Sequence, residues 1–512
     1  MHQMKYVMAL DQGTTSTRAI LFNQAGELCS SHQLEHDQHF VKPGWVEHQP
    51  QQIWENAERV MLGALKKVGS SPEEVAAIGI TNQRETIIAW ERDTGKIRHR
   101  AIVWQDLRGY EIIDELKRTV PQEEFLKHSG LIFSPYFSAS KIAWMLRNDD
   151  QLRSDAVAGK IVFGTIDTYL VYRLTGSDPS CIITDATNAS RYALMNIETL
   201  EWDSWLLDLF DIPEQSLPRI VDSVGSIYGS TDASGVLGRQ IPICGILGDQ
   251  QAALFGQACF SKGEAKNTFG TGCFLLVNSG TEVPISSNGL LTTVAYKEKG
   301  KNPYYALEGS IAVAGSLVQW LRDNLELVKS APEVDTLAES VADNGGVYVV
   351  PAFSGLFAPY WRSDARGIIA GLTGYATRAH IARASLESTA FQVKDIFDAV
   401  KEDTAIEIRE LRVDGGLTNS RPLMQFQADL LDIPVIRPMI YETTALGAAY
   451  AAGLSVGFWE TKEEIAHHWK KGKSWSPRME EAERAQLCAS WKKAVERTLY
   501  WVDGTEEAKE TK

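Results

Sequence analysis

Asp11, Gly13, Thr14, Thr15, Ser16 and Arg18 fall together in ALDQGTTSTR, between the apolar runs YVMAL and AILF. Two strands joined by such a tip make a hairpin suited to phosphate. Gly13 lets the backbone turn sharply and approach a ligand closely. Free N–H groups and the hydroxyls of Thr14, Thr15 and Ser16 can donate to anionic oxygens, and Arg18 adds a guanidinium that matches phosphate. Asp11 is out of place beside an anion unless a divalent cation lies between them; Mg²⁺ binds one or two carboxylates together with phosphate oxygens and water. The same residue types also make plain turns. The tip is no Walker loop: it lacks the Gly-Lys-Ser/Thr ending and runs into a strand, not a helix. A second tip, Phe269-Gly270-Thr271-Gly272 in KNTFGTGCFLLVNSG, repeats the pattern about half a chain later.

Three further pieces could give such tips a reaction to run. In ICGILGDQQAALFG an apolar run ends at Gly248-Asp249-Gln250 and a helical pattern follows. Asp249 then stands at the carboxyl end of a strand, where open α/β sheets bind ligands. A carboxylate there can accept a proton from a substrate hydroxyl; it can equally cap the helix, since Asp is among the best N-caps. In LRVDGGLTNSRPLMQFQADLL a strand meets Gly415-Gly416, then a helix with Leu423, Phe426 and Leu430 on one face. That junction is able to hold a nucleotide, or simply to make a tight turn. In ITNQRETIIAW, AIVWQD and SPYFSASKIAW, Arg84, Glu85, Trp104 and Tyr136 could line a polyol pocket, with charges for hydroxyls and aromatic faces for C–H surface. Singly, each could also be an exposed ion pair or a core aromatic.

These groups need a scaffold that gathers distant segments. Short apolar strands alternate with helical patterns, as in VAAIGITNQ and KIVFGTIDTYLVYRL, which predicts an α/β architecture. Val393, Ile396, Phe397 and Val400 recur at helical spacing and predict a buried helix face. A chain of 512 residues exceeds one ordinary core. Two similar tips predict a duplicated domain, each half offering one tip to a shared cleft, with the boundary near Leu254. The net charge of −15 argues against nucleic acid or an anionic membrane as partner, but leaves room for an anion in a local positive pocket. No apolar run reaches ~18 residues, so no membrane span is expected, and MHQMKYVMALD is too short for a signal-peptide core. The six cysteines are scattered, with no CxxC pair, which predicts reduced thiols in the cytoplasm. The tail GTEEAKETK is polar and expected to fray.

Assembled, the sequence resembles the FGGY carbohydrate kinase family, within the sugar kinase, Hsp70 and actin superfamily, and in particular its glycerol-phosphorylating members. DQGTTSTR, PGWVEHQP, GITNQRET, AIVWQD, TDATNASR, GDQQAALFGQ, NTFGTGCF, YALEGS, VYVVPAFSG, APYW and TTALGAAYAAGL carry the likeness, in order, over nearly the whole chain. YFSASKIAWMLRN and GIIAGLTGYATRAHIARASLE are similar to two longer family signatures.

The resemblance implies two duplicated ribonuclease H-like (actin-like ATPase) domains around a central cleft. Residues 1–253 would hold the polyol site and first tip, and 254–512 the second tip and adenosine site. It implies ATP-dependent phosphorylation of glycerol to sn-glycerol 3-phosphate, with another small polyol or ketose (erythritol, dihydroxyacetone, xylulose) as the alternative substrate. Arg84, Glu85, Tyr136, Asp249 and Gln250 would bind glycerol hydroxyls, and Trp104 and Phe274 would pack on its carbons. Asp249 would be the general base, and Asp11 with Asp249 would hold Mg²⁺. Thr14, Thr15, Ser16, Arg18 and Thr271 would cradle the ATP phosphates, while Gly315, Gln319, Gly416 and Ser420 would line the nucleotide site. A cytoplasmic homodimer or homotetramer is implied.

Several positions depart from the family pattern. Ser420 replaces an asparagine near the adenine, which predicts a weaker or water-mediated base contact. Phe357 replaces a glycine and is expected to narrow the cleft or alter its closure. Leu107 replaces a polar or charged residue in WQDLRGY. Ser230 stands where some members carry a phosphorylatable histidine, and Gln240 replaces an arginine of an allosteric sugar-phosphate site, so neither form of regulation is expected.

Overall fold

The computed structural model describes residues 5–502, so the tail GTEEAKETK lies outside the described residues. Val7, Met8, Ala9 and Leu10 are all fully buried, which covers both faces of the first strand and accounts for its unbroken apolar run. That strand, β1 (Tyr6–Gln12), turns at Gly13 into β2 (Ser16–Phe22), and β3 (Leu28–Glu35) continues antiparallel. β4 (Val75–Asn82) then runs parallel to β1. β5 (Gly229–Ser230) closes the edge antiparallel to β6 (Pro242–Gly248), itself parallel to β4. The sheet order is β5-β6-β4-β1-β2-β3.

The second half repeats this scheme. β7 (Ala265–Phe269) and β8 (Cys273–Gly280) form the second hairpin; β9 (Leu291–Tyr296) and β10 (Tyr304–Ile311) extend it antiparallel. β11 (Leu411–Asp414) is parallel to β7, β12 (Val435–Pro438) is parallel to β11, and β13 (Lys471–Trp475) pairs antiparallel with β12. The order β9-β10-β8-β7-β11-β12-β13 matches the first sheet from β10 to β12, with β9 added at one edge; at the other edge the pairing recurs but the connection differs, since β5 precedes β6 whereas β13 follows β12. The duplication expected from two similar tips is therefore a duplication of topology. A separate five-stranded sheet from residues 39–164 is inserted in the first half.

Six helices pack on the two sheets or on one another: α1 (Asp249–Gly256), α2 (Gly315–Asp323), α3 (Ala331–Glu339), α4 (Arg378–Asp403), α5 (Arg421–Leu431) and α6 (Thr443–Val456). Val393, Ile396, Phe397 and Val400 are fully buried on α4, and Leu423, Phe426 and Leu430 are buried on α5, as their spacing predicts. The boundary expected after Ala253 falls inside α1. The two halves join where α6 packs on α1 and on the first sheet. A Cβ on Gly447 would lie 1.8 Å from the Ala252 carbonyl oxygen, so only glycine permits that backbone approach. KIVFGTIDTYLVYRL divides into a strand, Ile161–Gly164, and a helix, Ile166–Leu174. All six cysteines carry free thiols. Among the described residues no helix is long and apolar enough to cross a membrane.

Candidate active site

Asp249 follows β6 directly. Gly248 is the N-cap of α1, so Asp249 is not the cap but the first helical residue, and its Oδ1 accepts from the Gln250 N–H at 2.8 Å. The Gly248 N–H donates to Thr187 Oγ1 at 2.9 Å, and Thr187 is itself held by Asp185 at 2.9 Å, which fixes this corner from behind. Arg84 Nε lies 3.3 Å from Asp249 Oδ1; the aspartate side chain keeps 29% exposure, while Arg84 is buried. Burial raises its pKa to about 6 despite the Arg84 charge.

Arg84 and Glu85 are buried, not the exposed pair that isolated charges suggest. Arg84 grips Glu308 of β10 through both terminal nitrogens, at 2.6 and 2.8 Å, and donates to Gln251 Oε1 at 3.2 Å. Arg191 Nε donates to Glu85 Oε1 at 2.6 Å, and its Nη2 lies 3.3 Å from Glu308 Oε1. Burial would push the Glu308 carboxyl up, but Arg191 and Arg84 outweigh it and hold it at about 2. Glu85 has φ +64°, a left-handed conformation that a side-chain-bearing residue rarely adopts and that clusters at functional sites. Tyr136 stands edge-on to Trp104 with ring centroids 5.6 Å apart, and Arg191 lies over its ring at 5.6 Å. The buried Lys141 ammonium donates to the carbonyls of Pro135, Tyr136 and Phe137 at 2.8, 2.6 and 3.2 Å and so fixes the loop that presents Tyr136. From the second half, Lys266 of β7 donates to Gln250 Oε1 and, at 3.3 Å, to the Phe274 carbonyl. Burial lowers the pKa of Lys266 to about 8, opposed by Asp414, Asp249 and Glu308. Arg84, Glu85, Tyr136, Trp104, Asp249, Gln250 and Phe274 are thus tied into one connected wall.

The first tip adjoins this wall, since Trp104 Nε1 donates to Thr14 Oγ1 at 2.9 Å. Asp11 lies beside Thr81 of β4, and Gly248 beside Asn82. Asp11 and Asp249 therefore rise from strand ends about 10 Å apart, two inter-strand spacings. Arg18 sits between two carboxylates, Asp11 at 2.6 Å and Glu442 at 2.7 Å, so its charge is shared with acids rather than presented to phosphate alone.

The second tip is braced by the start of α2. The Ala314 and Ser316 N–H groups donate to the Thr271 carbonyl at 3.0 and 3.1 Å, and the Gly315 N–H donates to the Gly270 carbonyl at 3.0 Å. Thr271, Gln319 and Gly416 are exposed. Ser420 is buried and occupied: it caps α5 and donates to Asp335 of α3 at 2.7 Å. Phe357 stacks on Trp361, with centroids 5.6 Å apart. Leu107 is 53% exposed.

Two tips on topologically equivalent hairpins, with a carboxylate and a charged polar wall beside them, are the layout of a two-domain sugar kinase. The sequence matches the FGGY family of carbohydrate kinases over most of its length: the N-terminal domain over residues 6–256 and the C-terminal domain over 265–456.

The chain belongs to the FGGY family of carbohydrate kinases.

It is similar to a glycerol kinase of Clavibacter michiganensis, 55% identical across 98% of this chain and 99% of the relative. It is likewise similar to a glycerol kinase of Chloroflexus aurantiacus, at 53% across 98% and 100%. Among solved structures, a Plasmodium falciparum glycerol kinase with ADP superposes with a TM-score of 0.91 at 40% identity, covering 97% of this chain and 99% of that one. As in other FGGY kinases, the fold is mixed α/β with two actin-like ATPase domains.

Sequence reasoning singled out neither Glu308 nor Arg191 nor Lys266. Their only signals were a charged residue within a strand pattern, Lys in AKNTF and Glu in YALEGS, and a lone basic residue in the polar motif TDATNASR.

Proposed function

We propose that this FGGY kinase transfers the γ-phosphoryl group of ATP to a terminal hydroxyl of glycerol, giving sn-glycerol 3-phosphate for glycerol catabolism. Glycerol kinases matched over nearly the full chain support this reading. The observation that carries it is the placement of Asp249: a partly exposed carboxylate with raised pKa, 3.3 Å from Arg84, in a wall that Trp104 joins to the first tip.

Transition states of phosphoryl transfer are loose, so positioning and charge neutralisation carry most of the catalysis. Asp249 orients the hydroxyl and accepts its proton as the bond to phosphorus forms. Arg84 is held in one orientation by Glu308 and Gln251, which leaves a guanidinium edge for a substrate hydroxyl. Glu85, fixed by Arg191, and Gln250, fixed by Lys266, accept and donate to the remaining hydroxyls. Trp104, Tyr136 and Phe274 cover the carbon skeleton. Since the wall's buried polar groups are left unpaired by an analogue that lacks a hydroxyl, selectivity follows. Thr14, Thr15, Ser16 and Thr271 cradle the phosphates. Gly315, Gln319 and Gly416 line the adenosine side. Arg18, shared between Asp11 and Glu442, would add its guanidinium to the phosphates.

No three His, Cys, Asp or Glu residues among those described form a metal cluster. The pair of carboxylates Asp11 and Asp249 fits Mg²⁺, which binds one or two carboxylates and takes its other ligands from phosphate and water. Asp11 and Asp249 would hold it, and it would offset charge on the β- and γ-phosphates. The division between halves lies in the link 257–264. The chain works in the cytoplasm as a homodimer or homotetramer.

Turnover on glycerol, dihydroxyacetone, erythritol and xylulose tests the reading. Glycerol should give the highest kcat/KM; a higher value for any other would reassign the substrate.

A further inference from the structure

The motif PGWVEHQP takes no part in the site above, yet its His48 lies fully buried behind the first phosphate tip. His48 Nε2 is 2.8 Å from Gln38 Oε1, and Gln38 Nε2 donates to the Thr14 carbonyl at 2.8 Å. On the other side of the ring, Gln83 Nε2 lies 3.4 Å from Nδ1 and donates to the Gly13 carbonyl at 3.1 Å and to Gln12 Oε1 at 3.0 Å. Gln12 Nε2 donates to the same Gly13 carbonyl at 2.7 Å. Gln83 Oε1 accepts from the Thr86 hydroxyl at 2.8 Å, which accepts from the Trp104 N–H at 3.2 Å.

The directions of these bonds are forced. Gln38 spends an amide N–H on a carbonyl, so its oxygen faces His48 and must receive the Nε2 proton. Nδ1 is then the unprotonated nitrogen, and it faces at 3.4 Å a Gln83 amide whose two protons go first to the nearer Gln12 Oε1 and Gly13 carbonyl. Only the neutral ring with its proton on Nε2 satisfies both neighbours.

The bonds also aim the tip. In a trans peptide the C=O of one residue and the N–H of the next point in opposite directions. Gly13 and Thr14 carbonyls are drawn back into the protein, and the Thr15 carbonyl is drawn back by the His36 N–H at 3.2 Å. The N–H groups of Thr14 and Thr15 are thereby turned outward to where an anion would sit.

We propose that His48, acting through Gln38 and Gln83, is a positioning residue that presets the first tip for the terminal phosphates of the nucleotide and couples the tip to Trp104. This rests on the kinase reading above. It gives PGWVEHQP a role: preorganised donors cost no rearrangement when charge arrives, whereas a loosened tip must be ordered by the ligand.

The test uses the full-length protein with His48→Leu, which removes both ring bonds. His48→Gln restores the donor to Gln38. Gln38→Ala changes a half-buried residue and leaves the core intact. Calorimetry measures binding of a non-hydrolysable ATP analogue with Mg²⁺, and of AMP, which lacks the β- and γ-phosphates. His48→Leu and Gln38→Ala should weaken the analogue about tenfold, as expected for the loss of a hydrogen bond or two, with AMP unchanged. His48→Gln should recover most of the loss. Analogue affinities within twofold of wild type, or equal weakening of analogue and AMP, would overturn the proposal. Failure of the wild type to phosphorylate any polyol would instead strike the kinase reading, and the phosphate-binding result would stand apart from it.

Discussion

Protonation of Asp249 should silence turnover at a pH where ordinary carboxylates are still ionised. Its carboxyl titrates at about 6 because burial outweighs the nearby Arg84 charge. Such a group is about 90% ionised at pH 7 and about 10% at pH 5, so kcat/KM should fall roughly tenfold between them. An unshifted aspartate, with a pKa of about 3.9, would leave the profile almost flat over that span. The nucleotide supplies its own titration near pH ~6, so a variant must separate the two. Asp249→Asn keeps the shape of the side chain but cannot accept the proton. General-base help is worth about 10²–10⁴-fold, and the variant's rate should fall by that factor. Its residual rate should also lose the part of the acid limb that belongs to the enzyme. The assay is coupled ADP release at sub-saturating glycerol and MgATP, with thermal unfolding to show that the variant is folded. Near-normal turnover by Asp249→Asn, or an acid limb of equal depth in both proteins, would refute the assignment.

Other perturbations give separate readings. In Gly315→Ala the new Cβ would meet the Gly270 carbonyl oxygen at 2.6 Å, a backbone atom that cannot move alone. Steady-state kinetics should show KM for MgATP raised about tenfold, the equivalent of modest overpacking, with KM for glycerol unchanged. Ser420→Ala should cost about 1 kcal/mol in urea unfolding through loss of the α5 cap. It should leave KM for ATP within about twofold, since the Ser420 hydroxyl is spent on Asp335. Burial, with His36 and His39 nearby, pushes His48 down to about 3. The unfolded chain therefore binds more protons between about pH 3 and 6.5, and this contribution is present above that window and lost as pH falls through it. From pH 7 to pH 5 the loss should be about 2 kcal/mol, read from urea midpoints, and His48→Gln should remove it.

Much of the scaffold was legible because its signals are local. Gly13 and Gly270 sit between apolar runs, and both became hairpin tips; Val393 to Val400 kept helical spacing and became a buried face. Asp249 was legible as the residue at the carboxyl end of an apolar strand, and it follows β6 directly, although Gly248, not Asp249, proved to be the cap. The supports of the site were not legible, because they are made by residues far apart in the chain. Arg84 and Glu308 are separated by 224 residues, and nothing near either announces the other. Arg18 was read for its affinity for phosphate, but Asp11 opposite it on β1 and Glu442 before α6 also claim its charge. Ser420, judged by the asparagine it replaces, has found a different partner in Asp335. Phe357 gave no hint that Trp361 would receive its ring.

The central claim is that Asp249 directs a glycerol hydroxyl at the terminal phosphate of a nucleotide held by two tips. It is tested most directly by ADP release from MgATP with and without glycerol, alongside identification of the product. Release should depend on glycerol and yield sn-glycerol 3-phosphate in equal amount. Release at the same rate without glycerol, or ADP formed without the phosphorylated polyol, would contradict it.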